Sequence, residues 1–549
     1  MEFKSVNKLL EKSFAENWDL PALSNYQGAR LSYATVAERV EHIHICYREC
    51  GLEKGDKVAL CARNQTNWAI SFIATLTYGA VPVPILHEFK PGNIHYLVNH
   101  SESKVLFVDE SIWEGLSESE MPGLSAVVQM NTLKFIWSSD PALIQVRANL
   151  SRMFRERHPD GFRPEDMNYY EDSPEELALL NYTSGTSGFS KGVMIPYRAL
   201  YTNMKFAGWA EPHIGAGSDI VAMLPSAHMY GLMFEFLFQM TIGSHVHFLT
   251  RVPSPKVITT ACEEVKPDLI ISVPLVLEKL YKTRLKDELD RNRILLKLPV
   301  LDKVVLQRMR SALMNAFGGK FEEVIIGGAA LNPEVERLLR RLGFPFTVGY
   351  GMTECAPIIT YDKWNANKPC SCGKAIPSCE IRIDSPDPQN VPGEVQVRGD
   401  NLFLGYYRNE DATERAFTGD GWFRTGDMGV MDKDGYLYLK GRLKCMILGP
   451  SGQNIYPEEL ESVINNIDYV VDCLVVSRNG EIVALVYPDY HRAGLGGMNG
   501  RQVDEFITEA VNRANEEFPN YAHIKRVEFM PEDFERTPKR NIKRYLYQK

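Results

Sequence analysis

Residues 182–193 read Tyr-Thr-Ser-Gly-Thr-Ser-Gly-Phe-Ser-Lys-Gly-Val and follow directly on the apolar run Leu177-Ala-Leu-Leu180. The twelve positions hold five aliphatic hydroxyls, three glycines and one lysine. That composition suits a polyanion. Glycines let backbone N–H groups approach a phosphate, hydroxyls donate further hydrogen bonds, and the lysine adds a point charge. The order is not that of a Walker loop, because Lys191 is followed by Gly192 rather than by serine or threonine. Further clusters follow along the chain. Leu224-Pro-Ser-Ala-His-Met-Tyr-Gly-Leu232 sets His228 at the start of an apolar helix, and Ile326-Gly-Gly-Ala-Ala-Leu-Asn-Pro333 is a strand ending in small residues where a flat ring can lie. Gly349-Tyr-Gly-Met-Thr-Glu354 offers an aromatic face, a hydroxyl and a carboxylate. Trp422-Phe-Arg-Thr-Gly-Asp427 ends in an acid, and Gly441-Arg-Leu-Lys444 carries two cations.

These residues need a scaffold that holds them together. Strand-like runs at Lys57-Val-Ala-Leu-Cys61, Lys104-Val-Leu-Phe-Val108, Ile220-Val-Ala-Met-Leu224, Leu269-Ile-Ile-Ser-Val273 and Val324-Ile-Ile-Gly327 alternate with helical patterns. The alternation predicts parallel sheet with crossover helices. From about Cys379 the texture turns to short strands and turns, and after Gly441 a compact α+β pattern begins, with a Gly-rich loop at 494–500 before a helix. The expected layout is α/β. Residues 1–441 form a large domain with a β-rich, barrel-like subdomain near 379–441, and 442–549 form a small C-terminal domain. Residues 64–87 contain no Asp, Glu, Lys or Arg, yet Gly79, Pro82 and Pro84 break them, which predicts a buried helix over about 66–78 and then a strand.

Composition narrows the partners. At 549 residues, 44% hydrophobic and with a formal net charge of −9, the chain reads as a soluble globular protein with no nucleic-acid partner. Its ten scattered cysteines and the absence of a signal peptide predict a reduced, cytoplasmic setting. Cys370, Cys372 and Cys379 lack a fourth ligand for a metal site. The cationic exception is the tail, where Arg536, Lys539, Arg540, Lys543, Arg544 and Lys549 crowd together.

The joint order of the clusters resembles the adenylate-forming superfamily of acyl-CoA synthetases, peptide-synthetase adenylation domains and luciferases, from about Leu31 to Leu546. Asn64-Gln-Thr-Asn-Trp-Ala-Ile, Tyr78-Gly-Ala-Val-Pro-Val-Pro and Lys266-Pro-Asp-Leu-Ile-Ile-Ser-Val-Pro274 look most like its fatty acyl-CoA ligase branch. The resemblance implies that Thr183, Ser184, Gly185, Thr186, Ser187, Gly188 and Lys191 hold the outer phosphates of ATP. It implies that Tyr350 stacks on adenine beside Gly328, Ala329 and Ala330, with Gly351 and Met352 in the same nucleotide loop. Thr353 would contact the α-phosphate, Glu354 would ligate Mg²⁺, Asp427 would bind the ribose hydroxyls and Arg442 would assist. His228 and Gly328 would border the acyl channel, although His228 also suits a satisfied core histidine. Lys444 occupies the hinge about which the small domain turns. The reaction implied is activation of a carboxylic acid, a fatty acid in this branch, to an acyl-adenylate and transfer to coenzyme A. An acyl carrier protein is an alternative acceptor, and a homodimer is plausible for the branch.

The tail departs from that pattern. Where the family carries a lysine bridging carboxylate and α-phosphate, Thr537-Pro-Lys-Arg-Asn-Ile-Lys-Arg544 places Asn541. Three readings follow. Lys539 or Lys543 serves from a shifted position, since residues two apart in an extended segment share a face. Alternatively, adenylation is slow, or the chain is a nucleotide-binding pseudoenzyme. Smaller departures are Ser187, Ser190 and Cys445, which replace the family's usual threonine, proline and acid.

Overall fold

The computed structural model describes residues 3–183, 190–298, 300–449, 453–537 and 541–548. Parallel strands form its centre. Val81–Ile85, Lys57–Cys61, Ser103–Val108 and Ala126–Gln129 lie side by side in that order, closed at one edge by the antiparallel Lys134–Ser138. A second sheet orders Asp219–Ala222, His245–Phe248 and Pro21–Asn25 in parallel, with Arg30–Ser32 antiparallel at its edge. A parallel bridge from Ile220 to Leu269 joins it to a third group, Ile270–Ser272, Val324–Ile326 and Phe346–Val348.

The charge-free segment folds as expected, as helix Thr66–Tyr78 followed by strand Val81–Ile85. Eleven of the helix's thirteen residues are buried, so it needs no polar face. Gly79 ends the helix in the left-handed conformation at φ 84°, where a side chain is strained. Trp68 and Phe72 stack on one another and both meet Phe236 edge-on, which fixes this helix against the segment carrying the His228 motif.

The run of short antiparallel strands predicted from about Cys379 begins earlier, at Tyr350, which pairs with Thr360. The β-rich region is laid out as a four-stranded antiparallel sheet of Cys379–Asp384, Gly393–Gly399, Phe423–Met431 and Leu437–Arg442. The Gly-rich loop is shorter than expected. Asp489 accepts the Arg492 N–H and caps a helix, Tyr490–Leu495, that reaches into it.

The apolar cores divide along the chain. One continuous cluster runs from Val6 to Leu437, and another covers residues between Ala59 and Ala227. Two smaller clusters between Ile455 and Phe534 pack both faces of the sheet Val470–Arg478, Glu481–Pro488 and Arg526–Phe529. Polar contacts join the two regions, with Asn332 Nδ2 donating to Asn466 Oδ1 at 2.7 Å and Lys286 pairing with Asp468 at 2.6 Å. Such wet contacts permit relative motion better than an apolar seam does. Truncating Ile507→Ala, fully buried in the smaller core, will cost about 2–5 kcal/mol. Calorimetry is expected to show this loss in the transition of residues after 445, with the main transition unmoved.

Candidate active site

Hairpin geometry explains the phosphate-cradle motif. Strands Leu177–Thr183 and Lys191–Pro196 pair antiparallel, and Thr183 lies directly opposite Lys191. Ser184, Gly185, Thr186, Ser187 and Gly188 lie outside the described residues. Lys191 Nζ stands 4.5 Å over the ring of Tyr406, whose strand pairs with the lysine's own. The Tyr406 hydroxyl donates to Glu354 Oε1 at 3.0 Å. Lys191, Tyr406 and Glu354 thus form one pole. Burial lowers the Lys191 pKa, and nearby Lys444 lowers it further while Glu354 opposes this. An anion between the two lysines would relieve that repulsion.

A second group sits beside it. Tyr350 is buried, and its hydroxyl donates to Asp427 Oδ2 at 2.6 Å. The half-exposed Arg442 guanidinium holds the other oxygen, Oδ1, at 2.8 Å, and Asp427 and Arg442 are direct cross-strand partners. Burial raises the Asp427 pKa, against the opposing pull of Arg442 and Tyr350. Backbone geometry supports the platform. Gly328 takes φ 84°, and a side chain at Gly351 would lie 2.1 Å from the Pro357 carbonyl oxygen.

Tyr350, Gly351, Met352 and Thr353 also line a cavity of about 740 Å³, together with Gly328 and His228. Phe206, Met229, Phe234, Phe238, Leu269 and Ile358 make its walls apolar. His228 Nδ1 accepts the Tyr230 N–H at 3.5 Å and so caps the helix it precedes. The loop carrying His228 is held by residues whose part sequence reasoning missed. Buried Glu235 accepts the N–H groups of Met223 and Leu224 at 3.1 and 2.9 Å. Asn64 spans the same loop, donating to the Leu224 carbonyl at 2.6 Å and accepting the Ser226 N–H at 2.7 Å. Tyr406 was missed as well. Its only signal was an aromatic residue at strand spacing.

Not every predicted residue joins the site. Lys543 pairs with Glu535 at 3.1 Å inside the small domain, and the Asn541 carbonyl accepts the Thr537 N–H at 2.8 Å. The Lys543 side chain is therefore engaged within the tail, and Asn541 is held there by its backbone. Lys539 lies outside the described residues. Lys444 falls in a short turn, Leu443–Cys445, that begins where strand Leu437–Arg442 ends.

Strands of the third parallel group end at the loop that begins with Tyr350, where ligands of open α/β sheets bind. A buried carboxylate there takes a tyrosine hydroxyl and a guanidinium, a lysine and a glutamate form the neighbouring pole, and Tyr350 and Thr353 line the apolar cavity. The profile of the AMP-binding enzyme family matches residues 10–407, and that of its C-terminal domain matches 446–549. The chain belongs to the AMP-binding enzyme family, and so to the adenylate-forming superfamily.

Its curated relatives include the long-chain-fatty-acid–CoA ligase FadD15 of Mycobacterium bovis, 28% identical across 90% of this chain and 86% of that one. The long-chain-fatty-acid–CoA ligase of Escherichia coli O157:H7 is 26% identical across 84% and 81%. Among solved structures, ATP-bound MatB from Rhodopseudomonas palustris superposes with a TM-score of 0.77 at 21% identity, covering 99% and 98%. MenE from Bacillus subtilis with ATP and magnesium gives 0.74 at 20%, covering 98% of each chain. These confirm the mixed α/β fold with a large N-terminal and a small C-terminal domain. Among the described residues no helix is long and apolar enough to cross a membrane, and all ten cysteines are free.

A carboxyl pair sits at the wall of the cavity. Tyr361 Oη lies 2.9 Å from Glu211 Oε1 and also contacts Glu323, which accepts the Trp364 N–H at 3.0 Å. The tyrosine has one proton to give, so both contacts are hydrogen bonds only when one carboxyl is protonated. Burial first, then Glu323, pushes Glu211 up from 4.5 to about 9. The folded state therefore binds this proton more tightly than the unfolded chain. Its stabilising contribution is complete below about 4.5 and is lost as pH rises toward 9. Thermal melts of Glu211→Gln should lose less Tm between pH 6 and 9 than those of the parent. Parallel curves would show that the pair does not hold the proton.

Proposed function

We propose that this protein activates a fatty acid with ATP to an acyl-adenylate and transfers the acyl group to coenzyme A. One observation carries the reading: Tyr350, which donates to Asp427, also lines the apolar cavity, together with Thr353 from the same loop. Nucleotide and acyl chain would therefore meet at the loop that also bears Glu354. Names of the curated relatives support a fatty acid and CoA, and the apolar lining of the cavity supports a hydrocarbon chain.

On this reading residues 183–188 and Lys191 hold the outer phosphates, while Tyr350 covers adenine and Asp427 takes the ribose hydroxyls. Thr353 is placed at the α-phosphate. The substrate carboxylate forms a new P–O bond there as the bond to pyrophosphate breaks. A thiol then attacks the acyl carbonyl, losing its proton, and AMP leaves. Catalysis is positioning and charge neutralisation, and no protein nucleophile is needed. Glu354, 7% exposed and tied to Tyr406, is an oxygen donor beside the phosphate hairpin and suits Mg²⁺, which would neutralise phosphate charge when bound. The small domain, residues 442–549, turns about Lys444 between the two half-reactions, and this exchanges the tail segment at the site.

Asn541 favours slow adenylation as the particular character of this enzyme. Pyrophosphate release with ATP, Mg²⁺ and a panel of long-chain acids is expected, with CoA accelerating AMP release. Nucleotide binding without pyrophosphate from any acid would overturn the ligase reading in favour of a binding protein. Transfer to a holo carrier protein but not to CoA would replace the acceptor. Lys191→Ala should lower kcat/KM about 10²-fold or more. Asn541→Lys should raise the adenylation rate about 10-fold or more and leave thioester formation little changed. A slower first half-reaction in that variant would place the bridging role at another residue.

A further inference from the structure

On the second parallel sheet, well away in sequence from the nucleotide motifs, four polar side chains share one face. His245 and His247 alternate on strand His245–Phe248 and so project to the same side. Asp219 pairs in register with His245 from one neighbouring strand, and Ser24 pairs with His247 from the other. Asp219 Oδ1 lies 3.1 Å from His245 Nδ1 and 2.8 Å from His247 Nε2. Behind the rings, Ser24 Oγ lies 3.1 Å from both His245 Nε2 and His247 Nδ1.

Counting donors shows that two neutral imidazoles and Ser24 supply three hydrogens for four contacts, so the missing charge is either a proton on one ring or a metal ion between the rings and Asp219. If both neutral imidazoles donate to Asp219, their other nitrogens both need a proton from Ser24, which has one. If both donate to Ser24, which can accept twice, two ring lone pairs and a carboxylate oxygen converge with nothing between them. The second arrangement is the one a metal requires. Each ligating imidazole has its remote N–H held by a hydrogen-bond acceptor, which fixes tautomer and orientation.

We propose that Asp219, His245 and His247 form a binding site for one divalent first-row transition metal, zinc foremost, with Ser24 holding both rings from behind. Their ligand atoms all lie within 4.8 Å of one another. Around tetrahedral zinc, with bonds of about 2.0–2.1 Å, ligand atoms stand roughly 3.3 Å apart, so the two carboxylate–imidazole spacings, 3.1 and 2.8 Å, need to open by only about half an ångström or less. Two imidazoles select against Mg²⁺ and Ca²⁺, which take oxygen ligands. Asp219 and His247 border a cavity of about 640 Å³ shared with Tyr26, Arg30 and Glu264. That cavity gives an ion an entry path and leaves the fourth position open to water or a small anion. Bound there, the metal would tie together strands that also lead to the His228 loop.

The test uses the full-length protein, stripped with chelator and held in saturating Mg²⁺ so that hard-cation sites are filled. Zn²⁺ or Co²⁺ is then titrated, with elemental analysis after gel filtration. One equivalent per chain is expected. The cobalt form should show visible d–d absorption without a thiolate charge-transfer band, and Zn²⁺ should raise Tm. Asp219→Asn and His247→Gln keep volume and hydrogen bonding, and each should weaken binding about 100-fold or more, while Ser24→Ala should weaken it about 10-fold. Failure of the parent protein to bind one equivalent would overturn the proposal, whether or not the variants fold. A thiolate band, or undiminished binding in folded Asp219→Asn and His247→Gln, would do the same.

Discussion

Asp427 is 5% exposed and accepts from Tyr350 and Arg442, two groups from different parts of the fold. A carboxylate buried without partners would cost several kcal/mol and would take up a proton instead. Here the partners oppose that shift, so the group is kept as an acceptor. The contact also joins three regions. Tyr350 follows the third parallel group, Asp427 belongs to the four-stranded antiparallel sheet, and Arg442 is the last residue before the turn into the small domain. Any displacement of one sheet against the other would be felt first at this carboxylate.

The remainder of the site depends on that junction. Tyr350 can present a face only because its hydroxyl is anchored, and the loop it begins carries Thr353 and Glu354 toward Lys191. On the other side of the cavity, Glu235 and Asn64 satisfy the loop that bears His228. Buried backbone donors without such partners would cost about 1–3 kcal/mol each. A carboxyl in the middle of the apolar stretch Leu232–Leu237 is therefore a brace for the loop, and its burial raises its pKa well above the usual range.

Much of this was legible in the sequence, because the informative residues are close together along the chain. The strand–glycine and Tyr350–Glu354 motifs are local, so their order alone implied a nucleotide fold, and the helix at Thr66–Tyr78 was marked by its lack of charge and its glycine stop. What stayed hidden depends on distant pairings. Tyr406 meets Glu354 across 52 residues, and Glu323 meets Tyr361 across 38; no spacing rule connects such residues. The His-x-His alternation was visible, but its meaning required Asp219 and Ser24 from neighbouring strands. The tail was read as a departure at Asn541, and the fold adds that Lys543 is held by Glu535 in this arrangement of the small domain.

The central claim is that the anchored Asp427 carboxylate is the ribose acceptor of a nucleotide site. Calorimetric titration of AMP against 2′,3′-dideoxy-AMP, on the parent protein and on Asp427→Asn, tests this most directly. The account predicts that the parent binds AMP at least about 10-fold tighter than the dideoxy analogue, consistent with loss of charge-assisted hydrogen bonds, and that Asp427→Asn binds the two alike. Equal affinity of the parent protein for both nucleotides would contradict it.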